Sequence, residues 1–207
     1  MQKNDQRMVL FFDAKIETYA SMGRQGRLAG LRTLPVDKLF ELVDQMRNTE
    51  LLSRPNRKRS ELLYLADIDV DKPRGYLTLL INRSDKDASD VVLSNPEKSE
   101  RRVIEKTLGE GADFSAHLMI KLKPQKPDTY VAALEMSPGL PSSKITSFLN
   151  HILRMCDLTY PTEFHRPHPD GSTDKDGNPR IVKARHRLEL RGHPSDSFLK
   201  DLESGML

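Results

Sequence analysis

Residues 61–82 read ELLYLADIDVDKPRGYLTLLIN. Across Glu61–Asp71 apolar and polar side chains alternate: Leu62, Tyr64, Ala66, Ile68 and Val70 fall on one face, and the other ends in Asp67, Asp69 and Asp71. A period of two is that of a strand with one face in a core. Lys72-Pro73-Arg74-Gly75 carries turn chemistry, and residues 76–82 return as a second strand. Strands joined by so short a turn run antiparallel. The stretch therefore predicts an α+β fold with a mostly antiparallel sheet, not a doubly wound parallel one.

The pattern recurs on both sides. Residues 114–123 alternate with Ala116, Leu118, Ile120 and Leu122 inward, 124–128 turn, and 129–136 complete a second hairpin. A strand is predicted at 9–16 (VLFFDAKI), followed by a flexible connection holding Gly23, Gly26 and Gly30 that lacks the context of a nucleotide-binding glycine loop. Val36, Leu39, Phe40, Val43 and Met46 recur at helical spacing and predict a helix over 35–48, with Pro35 in its first turn. Ile145, Phe148, Leu149, Ile152 and Cys156 do the same over 142–156, where Ser142 or Ser143 can cap. Between the hairpins, 91–93 read as an edge strand and 97–108 as a charged helix ended by Gly109. Residues 160–180 lack periodicity, 181–191 form a long strand, and a short helix starts near Ser195. The expected order is β-α-β-β, then β-β-α-β-α. Residues 1–207 make one domain, any subdivision falling near 95–111. The close at 203–207 suits a native end or the ordered part of something longer.

The composition narrows the class. The apolar run at 76–81 is far short of a membrane span, and the first residues lack a secretory signal's apolar stretch. A single cysteine, Cys156, excludes an internal disulfide and any CxxC site. A cytoplasmic protein with no membrane contact is expected. The formal charge of +3, from 33 basic and 30 acidic residues, leaves only local clustering to point to an anionic partner.

Two clusters do so. In residues 181–191, IVKARHRLELR, alternation sends Val182, Ala184, His186, Leu188 and Leu190 to one face and Lys183, Arg185, Arg187, Glu189 and Arg191 to the other. Side chains two apart on a strand stand about 7 Å from each other, comparable to successive phosphates of one nucleic-acid strand. Arg54, Arg57, Lys58 and Arg59 form a second cluster, in a loop too polar to pack. The plainer reading of both is a solvated surface whose cations pair with neighbouring carboxylates. Asp67, Asp69 and Asp71, with Asp13 of the first strand, offer oxygen ligands for a divalent metal, although Lys72 and Arg74 beside them suit ordinary ion pairs. No lysine follows Glu135 or Glu189 at the spacing of a restriction-type nuclease. His165 and His168 with Glu163 or Asp170 make a weak metal set, and residues 170–178 lack the terminal glutamate of a calcium loop. His186 reads as a core histidine and Cys156 as a small core residue. No phosphate-binding loop, nucleophile elbow or triad spacing is present. No cofactor and no resident metal are expected.

The stretches GADFSAHLMIKL (111–122), YVAALEMSPGLPSSKITSFLNHIL (130–153) and RHRLELRGHPSDSFLKDLESG (185–205) resemble bacterial proteins of prophages and mobile islands. That resemblance implies a bacterial cytoplasm, a setting of antiphage defence or counter-defence, and a partner that is nucleic acid or protein. It carries over no functional residue. The expected function is a non-catalytic component that binds nucleic acid or an acidic protein through the two basic clusters. A metal-dependent nuclease using Asp13, Asp67 and Asp69 is one alternative, and a structural homo-oligomeric subunit another.

Overall fold

The computed structural model describes residues 7–21 and 26–194. The elements run β1 (Val9–Ser21), β2 (Arg27–Leu28), α1 (Val36–Asp44), β3 (Ser53–Pro55), β4 (Glu61–Asp71), β5 (Tyr76–Asp85), β6 (Val91–Asn95), β7 (Glu100–Ile104), β8 (Ala112–Lys121), β9 (Thr129–Glu135), α2 (Ser142–Thr159), β10 (His165–Pro167) and β11 (Ile181–Gly192). The helix expected from Ser195, and Gly23 in the connection after β1, lie outside the described residues.

The fold is α+β. One curled antiparallel sheet has the order β10-β11-β1-β9-β8-β5-β4-β3, with β2 added at the end of β1. Alternation decides its inward face. Phe12, Ala14 and Ile16 of β1, Leu77, Leu79 and Ile81 of β5, and Ala116, Leu118 and Ile120 of β8 all point into one core. The helices bury their apolar stripes there: Val36, Leu39, Phe40 and Val43 from α1, Ile145, Phe148, Leu149 and Ile152 from α2. Cys156 is fully buried among them, and burial pushes its thiol up to about 12, so it packs as an apolar residue.

Three expectations need correction. Neither Ser142 nor Ser143 caps α2, whose N-cap position is held by Pro141 with no side-chain cap. β4 does not alternate without interruption. Leu65 pairs with Ile81 and Asp67 with Leu80, which leaves Ala66 as the extra residue of a β-bulge. Before the bulge Leu63 is the buried residue, and after it Ile68. Leu62 and Tyr64 therefore do not share a face with Ile68 and Val70. Residues 97–108 are not a helix. β6 and β7 form a separate two-stranded hairpin, turned by Pro96–Lys98 with Ser99 at φ 52°. The segment has no apolar stripe at helical spacing to bury, whereas Val103 and Ile104 are β-branched and pair with Val92 and Val91. β5 and β8 pair from Tyr76↔Lys121 to Asp85↔Ala112, so residues 86–111 are an insertion at the tip of that pairing.

α2 spans the curl. β11 pairs with β1 through residues 184–192 but with β10 only at 181–183, so most of its other edge lacks a strand. Asn150 fills the gap. Its Nδ2 donates to the Leu188 carbonyl at 2.8 Å and its Oδ1 accepts the Leu188 N–H at 2.9 Å, as a neighbouring strand would. At the far end of the strand order, Arg54 of β3 donates to Ser147 Oγ at 3.0 Å, and Lys144 donates to Glu61 of β4 at 2.9 Å. Burial alone would raise the Glu61 carboxyl. Hydrogen bonds from Arg83 and Lys144 outweigh it and hold the group below its usual range. Gly139, at φ 72°, leaves the space in which the Arg83 guanidinium lies.

Candidate functional site

Two clefts flank α2, the smaller along its first two turns and the larger along most of its length. The larger, about 630 Å³, lies between α2 and β11. Ser142, Thr146, Asn150 and Arg154 follow one another at spacings of four, so they form a single polar ridge along the helix. Arg185, His186 and Arg187 of β11 supply the opposite wall, and Asp157 lines the cleft from the next turn of α2. Tyr19 of β1 and Arg27 of β2 complete it, with the Arg27 guanidinium 4.5 Å from the centre of the Tyr19 ring. The smaller cleft, about 510 Å³, lies on the other side of α2 against β3 and β4 and is lined by Arg54, Arg57 and Lys144. Ser143 and Ser147 belong to both.

The two basic segments, more than a hundred residues apart in the chain, thus line clefts that meet at Ser143 and Ser147, with Arg54 reaching α2 at Ser147 and Lys183 and Arg185 reaching it at Asp157. Arg57, Lys58 and Arg59 are exposed on the β3–β4 turn, and none of them makes an ion pair among the described residues. On β11 the cations are not equivalent. Lys183 Nζ and Arg185 Nε stand 3.5 and 3.6 Å from the Asp157 carboxylate, Arg191 pairs with Glu189 at 2.8 Å, and Arg187 lies opposite Glu17 of β1 in the register. Arg185 and Arg187 are the two that line the cleft, and both side chains are exposed.

Two residues of the cleft lining, Asp157 and His186, carry buried side-chain atoms without a hydrogen bond. Asp157 is 2% exposed, with two cations at ion-pair distance but no hydrogen bond to either oxygen. His186 is 6% exposed, its Nε2 accepts the Leu34 N–H at 3.1 Å, and Nδ1 has no partner. Burial, reinforced by Arg166, pushes His186 down to about 4, so the ring is neutral near pH 7. With Nε2 accepting, the ring proton sits on Nδ1.

The aspartates of the nuclease alternative do not meet. Asp13 bonds His193 at 2.6 Å on β1, while Asp67 bonds Arg47 at 2.6 Å and Asp69 is exposed on β4. β9, β8 and β5 lie between those two strands, on the order of 19 Å along the sheet. Arg47 holds the Asp67 carboxyl below its usual range. Among the described residues no group of three or more metal-ligating side chains is disposed to hold an ion. His168 pairs with Asp170 at 2.6 Å in the loop between β10 and β11.

Asn150, Arg154, Asp157, Tyr19 and Arg27 escaped the reading of the sequence. One signal was there: Asp157 follows Leu149 and Leu153 at steps of four, a charge set on the helix's own apolar stripe. No protein-family model, curated protein or solved structure matches the chain.

Proposed function

We propose that the protein is a non-catalytic binding component that holds the phosphate backbone of a nucleic acid along the two clefts beside α2. The observation that carries this is the shared wall: Ser143 and Ser147 join a cleft bearing Arg54 and Arg57 to one bearing Arg185 and Arg187. Cations drawn from sequence-distant elements onto one surface, with hydroxyl donors between them, form the footprint expected for phosphate binding. The setting of this role, a bacterial phage-related system, rests on the resemblance of residues 111–205 alone.

The test is a salt titration of binding to random single- and double-stranded probes. Wild type should bind at low salt. Arg54→Ser/Arg57→Ser and Arg185→Ser/Arg187→Ser should each weaken binding across all sequences. The slope of log affinity against log salt should shrink by about 0.7 to 0.9 for each phosphate that is no longer neutralised. Absence of binding at low salt would refute the reading and leave an acidic protein surface as the partner.

A further inference from the structure

The strand register gathers one aromatic ring and three arginines on a single face. Tyr19 of β1 stands directly opposite Arg185 of β11, and residues so paired point to the same side of the sheet. Arg27 of β2 lies opposite Ser21, two residues along the face of Tyr19. Its guanidinium sits 4.5 Å from the centre of the Tyr19 ring, a cation–π contact. Arg187 follows Arg185 on that face at a spacing of about 7 Å. All four side chains line the α2–β11 cleft.

Farther along the same two strands the charges cancel locally. Lys15 pairs with Glu17, the residue opposite Arg187, and Arg191 pairs with Glu189. Arg27 and Arg187 form no ion pair among the described residues, nor does Arg154 on the α2 wall. Arg27 is exposed, so the pile it makes with Tyr19 reaches solvent. The cleft thus offers uncommitted cations on both walls together with a flat stacking surface.

A stacking surface tells nucleic acids apart by their pairing state. In a duplex the bases are stacked on one another, and the grooves show only their edges. An unpaired strand exposes base faces, which stack on aromatic rings and on arginine planes. The cleft, about 630 Å³, has the volume of a small-molecule site, which admits a short stretch of strand and excludes a double helix.

We infer that the α2–β11 cleft takes single-stranded nucleic acid, an unpaired base stacking on the Arg27–Tyr19 pile while neighbouring phosphates sit on Arg185 and Arg187. This rests on the backbone reading above and sharpens it. Every base has a π face, so the stacking tolerates any sequence. DNA and RNA strands share this chemistry.

The chain contains no tryptophan, so Tyr19→Trp sets a lone indole reporter in the pile. The full chain, wild type and variant, is titrated at low salt with a DNA strand, an RNA strand of the same sequence, the duplex, and an abasic strand that keeps the phosphates. The single strands should quench the indole emission, and the duplex and abasic strand should not. Wild type should hold the base-bearing strand at least about tenfold more tightly than the abasic one, a comparison that requires no variant to fold. Tyr19→Leu, checked for an unchanged melting curve, should lose that margin and keep the salt slope, because stacking releases no counterions. Arg187→Ser should do the reverse. The tighter of the DNA and RNA strands names the source of the ligand. An abasic strand or a duplex bound as tightly as the single strand would overturn the inference and leave the backbone reading intact. A margin without quenching of the indole would place the stacking elsewhere and overturn it as well. No strand binding at low salt would remove the backbone reading itself.

Discussion

β5 and β6 follow each other in the chain with only residues 86–90 between them, and both are rich in aliphatic side chains. Leu77, Leu79 and Ile81 of β5 are fully buried, while Val91, Val92 and Leu93 of β6 are 44–49% exposed. Hydrophobicity therefore does not separate them. β5 lies between β4 and β8 under a layer of two helices, and β6 has only β7 beside it and no second layer among the described residues. A two-stranded ribbon buries too little to be stable alone. Burial here is decided by the second layer, and α2 is the element that supplies most of it.

The sharpest way to break this comparison is to empty one side chain on each side of it. Phe148→Ala, beneath the sheet, should cost about 3–5 kcal/mol in urea unfolding. Val103→Ala, in the ribbon, should stay within about 0.5 kcal/mol. A ribbon variant as costly as the core one would mean that β6–β7 is packed against something in solution.

Acid should find the core side next. His186 is held at about 4 when folded and returns to about 6.5 when unfolded, so between those values the unfolded chain binds a proton that the folded chain refuses. Stability is complete above about pH 6.5, falls as pH drops through that window, and levels off below about 4. The whole effect is about 3 kcal/mol. His151, lowered by burial and by Arg54 and Arg154, adds in the same direction. Melting temperatures of His186→Gln should show a shallower loss between pH 6.5 and 5 than wild type; parallel curves would refute the assignment.

The smallest of the three effects concerns the edge of β11. Asn150→Ala strands the Leu188 N–H and C=O, at a cost of about 1–3 kcal/mol. Hydrogen exchange at the Leu188 amide should accelerate, while the β6–β7 amides exchange quickly in both proteins. An unchanged Leu188 amide would show that something other than Asn150 closes that edge.

Much of the fold was legible because it is written in short periods. The two hairpins, the stripes of α1 and α2, and the strand at 181–192 all announce themselves by spacing within a dozen residues. Ala66 did not, because a bulge is set by the register with β5 and leaves no mark within β4 itself. Residues 97–108 misled because charged residues suit an exposed helix and an exposed ribbon alike, and Val103-Ile104 was the only local vote against the helix. The basic clusters were visible as charge runs, but their common border on α2 is a property of the curl. Asn150, Arg27 and Tyr19 come from three elements that no sequence spacing connects.

The strand order also sets a timetable. β1 lies between β9 and β11, so beyond the short β2 its ladder has no neighbour until residues 22–128 have been made. At about 5–20 residues per second, translation leaves an exposed, alternating strand waiting on the order of ten seconds for β9, and longer for β11. Pairings this distant in the chain fold slowly because loop closure precedes their reward. β1 is thus where a chaperone would be needed while β9 is awaited. A ribosome stalled before β9 would release a chain whose first strand is open on both edges except where β2 pairs with Ala20 and Ser21.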